Sequence, residues 1–112
     1  LENKMITFEV DDIYRGDDSV TVAGRCINGP IAIGDVFLYQ YKPIFEKHDD
    51  DCKSVVFSEV ERVQLTVVGI QCLRMDVPEI VDGYSGAIQL TGDSVVDLKA
   101  GKLITSAIGG QC

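Results

Sequence analysis

Residues 20–35 read VTVAGRCINGPIAIGD, and their pattern decides the class of fold. Val20, Val22 and Gly24 alternate with Thr21, Ala23 and Arg25. That is the period of a strand with one buried face, because successive side chains leave a pleated backbone on opposite sides. Ile31 and Ile33 resume the alternation beyond Asn28-Gly29-Pro30. An Asn-Gly pair accepts positive φ and suits a tight reversal, while Pro30, lacking an N–H, belongs at an edge or at the exit of the turn. The stretch therefore predicts a hairpin, punctuated again by Gly34-Asp35 before the next apolar run at Val36.

The same punctuation recurs along the chain. Ile6, Phe8 and Val10 alternate ahead of Asp11-Asp12, and Arg15-Gly16-Asp17-Asp18 is a turn leading into the hairpin. Residues 55–73 form a long β-rich block in which Val60, Val63, Leu65, Val67 and Ile70 do not keep one parity, so it holds a bulge near Gly69 or two consecutive strands. Pro78, Asp82-Gly83 and Gly86 mark loops, residues 87–90 make a short strand before Gly92-Asp93, and Leu103-Ile104 makes the last. No segment keeps a helical period. Short strands with Gly and Asp turns predict an all-β fold, an antiparallel barrel or sandwich, in which closure removes exposed edges. The inward parity positions place Phe8, Val10, Val20, Val22, Ile31, Ile33, Val67, Ile70, Ile88, Leu90 and Leu103 in the core.

Composition sets the outer limits. The 112 residues make one domain, 1–112, large enough to bury a core without staples. No apolar run approaches the roughly 20 residues of a membrane span, and no basic stretch followed by an apolar one marks a secretory leader. A cytoplasmic location is expected, without membrane contact. Residues 1–4, ahead of Met5, read as an expression remnant or a disordered lead. Ten Lys and Arg against 18 Asp and Glu give a net charge of −8. Nucleic-acid affinity rests on cations that neutralise phosphates, so general nucleic-acid binding is disfavoured. An acidic surface suits a basic protein partner, or serves solubility alone. Cys26, Cys52, Cys72 and Cys112 include no C-x-x-C pair, and the first and third sit in strand-like runs as small hydrophobes. No structural zinc is expected.

The order of these motifs resembles a known family, the second domain of translational GTPases of the elongation factor Tu type, a small β-barrel of the translation-protein superfamily. Phe8-x-Val10-x-Asp12 looks like that domain's opening strand, Val20-x-Val22-Ala23-Gly24-Arg25 like its Val-x-x-Gly-Arg strand, and Gly29-x-Ile31-x-x-Gly34-Asp35 like its Gly-x-Ile-x-x-Gly-Asp turn. Farther on, Val68-x-Ile70, Asp82-Gly83, residues 87–92 and the run from Asp97 to Leu103 are similar to the family's later strands and closing turn. The resemblance implies a closed or nearly closed antiparallel barrel used for docking. It also implies a structural Arg25, with its stem on the barrel and its guanidinium fixing a turn. The family's phosphate loop, G-x-x-x-x-G-K-[ST], occurs nowhere in the sequence, so no nucleotide cofactor and no hydrolysis are expected.

The main departure from the family is residues 39–58, YQYKPIFEKHDDDCKSVVFS, with 40–58 reading as an extended loop or a hairpin insertion. Tyr39, Tyr41, Ile44 and Phe45 place an aromatic patch beside Glu46 and the acid-rich tip His48, Asp49, Asp50 and Asp51. Long loops carry function, so Tyr39, Tyr41, Phe45, Glu46, His48, Asp49, Asp50 and Asp51 are the candidate binding residues. His48, the three aspartates and Cys52 are competent metal ligands, but adjacent residues of one loop rarely converge on one ion. A Cys52–His48 pair lacks the third group that orients a base, and no paired-carboxylate or nucleophile-elbow signature occurs. The expectation is a non-enzymatic binding module with no cofactor or metal, taking a basic protein partner through the loop, an inhibitor or immunity-type protein being one concrete form. The alternative is a translation-associated module contacting the ribosome, tRNA or a factor. The sequence leaves oligomeric state open.

Overall fold

In a computed structural model, residues 5–47, 53–92 and 98–106 are described. The alternation along residues 20–28 becomes β2 (Val20–Asn28), with Val20, Val22, Gly24 and Cys26 all turned inward. Around it lie β1 (Thr7–Arg15), β3 (Ile31–Ala32), β4 (Val36–Lys47), β5 (Lys53–Cys72), β6 (Met75–Asp76), β7 (Glu79–Ile80), β8 (Ser85–Thr91) and β9 (Leu103–Thr105). There is no helix among the described residues, and so none long and apolar enough to cross a membrane.

Hydrogen bonding runs β4-β9-β1-β2-β8-β5, and a further β4–β5 pairing closes the ring. Every pairing is antiparallel. The strands are not spaced evenly round one axis, and the result resembles the barrel of an elongation-factor second domain. β6 extends β5 as a hairpin, while β3 and β7 form a separate two-stranded sheet. The ring encloses one apolar cluster containing Phe8, Val10, Val20, Val22, Ile31, Val67, Ile70, Ile88 and Leu90, as expected, together with Phe37, Leu65, Ile80 and Ile104. The C-terminal segment seals it: Val10 N–H donates to Lys102 O, Gly101 N–H to Val10 O, and the Arg15 guanidinium to Leu98 O at 2.8 Å.

Three readings need correction. The Asn-Gly-Pro step does not close a hairpin, because β2 pairs with β1 and β8 whereas β3 pairs only with β7. The chain leaves the sheet there through a cis Gly29-Pro30 bond. Ile33 is 53% exposed, since it occupies a turn in which Asp35 N–H donates to Ala32 O and Gly34 takes φ 99. The Asp35 carboxylate accepts from Ala32 N–H at 2.8 Å and fixes that turn. Leu103 is half-buried while its neighbour Ile104 is fully buried, a shift of one residue in parity. The broken parity of residues 55–73 is a bulge: β5 is continuous, with its register against β8 shifted between Val67 and Gly69. Arg25 is exposed on β2.

Candidate functional site

The departure at residues 39–58 is a long antiparallel ribbon. β4 and β5 stay paired out to Lys47↔Lys53. β9 meets β4 only at Tyr39–Tyr41, and β8 meets β5 only from Thr66 onward. Beyond these contacts the ribbon is two-stranded among the described residues, and the molecule extends 46 × 29 × 25 Å. Phe45 and Glu46 stand near its outer end, opposite Val55 and Ser54 in the ladder. His48, Asp49, Asp50 and Asp51, with Cys52, lie outside the described residues.

The root of the ribbon is anchored by polar contacts. Gln40 is fully buried, and its carbonyl accepts from Lys99 N–H at 2.8 Å. The Lys102 ammonium, largely buried, donates to Glu61 Oε1 at 3.3 Å, and Lys99 Nζ lies 3.7 Å from the same oxygen. Tyr39 carries the Arg62 guanidinium 5.5 Å from its ring centre. Tyr41 is only 4% exposed. Successive residues Gln40 and Tyr41 are both buried because the ladder shifts register between Gln40 and Lys42. Tyr41 is therefore part of the wall, and the expected aromatic patch does not include its ring.

Burial pushes the Tyr41 phenol above its ordinary value of 10.0. The unfolded chain then ionises first as pH rises, so this contribution is present below pH 10.0 and is lost above it, toward the raised folded value. Urea midpoints measured from pH 8 to pH 11 should fall more steeply for the wild type than for Tyr41→Phe. Parallel slopes would rule the buried phenol out as the cause.

No group of three metal-ligating side chains occurs among the described residues. Cys26 is buried with its thiol donating to Ile80 O at 3.7 Å, and Cys72 is half-buried; neither is in a disulfide.

The opposite end of β5 carries a second feature, one not expected from sequence. Cys72 and Met75 close a two-residue turn in which Leu73 has φ 53 and Arg74 φ 65. Both lie in the left-handed region that Asn and Gly occupy with less strain. Beside the turn, Cys72, Val77, Glu79, Ile80, Val81 and Tyr84 line a shallow groove of about 200 Å³. No Asn or Gly marks this turn, so local sequence chemistry offered no signal for it.

The barrel is similar in fold to part of a protein of known structure. Translation elongation factor SelB from Methanococcus maripaludis is similar over 91% of this chain in its apo form, with a TM-score of 0.65 and 16% identity. The same factor in complex with the GTP analogue GPPNHP gives 0.64 at 16% identity over the same share. The chain spans 19% of the length of SelB in either case, and the likeness is one of fold. No protein-family profile and no curated protein matches the sequence.

Proposed function

We propose that this barrel is a non-catalytic, cytoplasmic module that binds a basic protein through the acidic tip of the β4–β5 ribbon, in the manner of an inhibitor or immunity-type protein. The observation that carries the reading is the ribbon, a two-stranded extension paired out to Lys47↔Lys53 whose root is pinned by Gln40, Glu61 and Lys102; in sequence the acid-rich residues 48–52 join its two strands. A cluster of like charges in one segment steers a cationic surface from a distance, because the local field sets the encounter rate. The net charge of −8 adds to that field. A second reading, a translation-associated module contacting tRNA, the ribosome or a factor, is favoured by the fold shared with SelB and opposed by the charge.

The test is a pull-down from the source cell followed by stopped-flow association of the captured partner. Changing Asp49, Asp50 and Asp51 together to Asn should leave the unfolding midpoint unchanged. It should slow association about tenfold at low salt, with the difference shrinking as the screening length drops to about 8 Å at physiological ionic strength. A partner whose association rate ignores the triple substitution, yet collapses with changes at Asn28 or Pro30, would place recognition on the β2–β3 connection instead.

A further inference from the structure

We propose that the barrel end opposite the ribbon is a second docking site, which takes an extended segment of a partner protein carrying apolar side chains next to a basic one. The groove is floored by Ile80 and half-buried Cys72 and bordered by Val77, Val81 and Tyr84. Met75 stands directly opposite Cys72 in the ladder, so their side chains share a face and Met75 extends the border. Leu73 is 93% exposed, Met75 64% and Tyr84 62%. A turn needed only to reverse the chain is best served by Asn-Gly. Here two residues with Cβ atoms are held at positive φ, and the hairpin displays a leucine to solvent. The hairpin is braced for that role: Gln71 Nε2 donates to Asp76 Oδ1 at 3.0 Å and Val77 N–H to Ile70 O at 2.9 Å. Large apolar side chains grouped on a braced surface mark an interaction site rather than scattered exposure.

Charge selects the occupant. Glu79 lines the groove, and exposed Asp76 and Asp82 lie on the adjoining β6 strand and turn, against Arg74 alone on the hairpin. This rim favours a cation beside the apolar anchors and repels a phosphate backbone. The site lies at the Cys72 end of β5, the opposite end of that 20-residue strand from Lys53.

The experiment titrates the isotopically labelled full chain, followed by amide NMR, with a short synthetic peptide alternating lysine and leucine. Controls are the glutamate-leucine and lysine-serine peptides and a single-stranded RNA of similar length. The lysine-leucine peptide should shift the amides of Cys72, Val77, Val81 and Tyr84, and both control peptides should bind at least about tenfold more weakly. Leu73→Ser with Met75→Ser, both at exposed positions, should lower affinity about tenfold with the spectrum otherwise native. Glu79→Gln should weaken the lysine-leucine peptide, and the triple change at Asp49, Asp50 and Asp51 should not. Equal binding of the lysine-serine peptide would overturn the proposal, as would RNA shifting the same amides. Concentration-dependent shifts of these amides without any ligand would also overturn it, by assigning the groove to a second copy of the chain.

Discussion

Gly24→Val is expected to leave the chain unfolded under conditions where the wild type is native. Gly24 lies on β2 opposite Val10, just before the register of β1 shifts between Val10 and Asp12. A Cβ at this position would run into the main-chain carbonyl of Glu9 and come within 3.2 Å of Asp11 N. Those obstacles are backbone, so no rotamer change relieves them. Valine would have to push β1 and β2 apart where both strands cover Phe8, Val10 and Val22. The loss should exceed about 4 kcal/mol, a large share of the roughly 5–15 kcal/mol that stabilises a domain. Circular dichroism with urea titration measures it. A cooperative transition within about 1 kcal/mol of wild type would show that the close approach is not needed.

Gly29→Val should cost about 3 kcal/mol, for a reason that differs from its place in an Asn-Gly pair. The residue is not at positive φ; instead a Cβ would sit 2.8 Å from Cys26 Sγ and 3.0 Å from Ile80 O. Its N–H also donates to the Asp82 carboxylate at 2.6 Å, which ties the β2–β3 connection to the turn before β8. Because the thiol is the closest obstacle, Cys26→Ala made together with Gly29→Val should recover part of the loss. Equal losses with and without Cys26→Ala would point to the main-chain atoms, Ile80 O and Ile31 N at 3.1 Å, as the obstruction.

These two glycines show how the sequence was readable and where it was not. The alternation through Val20, Val22 and Gly24 identified β2 and its buried face, since parity is a local property of an extended chain. What β2 pairs with is not local. Asn28-Gly29-Pro30 has the chemistry of a reversal, yet β3 finds β7, some fifty residues on, and only the folded ring reveals that partner. Ile33 was misplaced because two-residue periodicity was carried one step too far, into a turn fixed by the Asp35 carboxylate. Leu103 was misplaced because two adjacent apolar residues give no parity of their own, and the pairing of β9 with β1 and β4 decides between them.

The same distinction applies to the sites. The unusual length and charge of residues 39–58 drew attention to the ribbon, but Tyr41 is buried because a register shift follows Gln40, and bulges leave little trace in composition. The apolar groove was hidden altogether. Cys72, Ile80 and Tyr84 come together only when β5, β7 and the turn before β8 are stacked at one end of the ring. Leu73-Arg74 carries none of the residues that announce a tight turn.

The barrel is similar in fold to part of a translation elongation factor, whereas the recognition proposed for it is directed at a basic protein. Fluorescence anisotropy of labelled tRNA and of a ribosomal RNA fragment, titrated with the chain at about 0.15 M salt and again at lower salt, tests it most directly. No RNA binding above the non-specific level is expected at the higher salt. Tight RNA binding there, falling steeply as salt is raised further, would contradict that proposal and assign the domain to the translation apparatus.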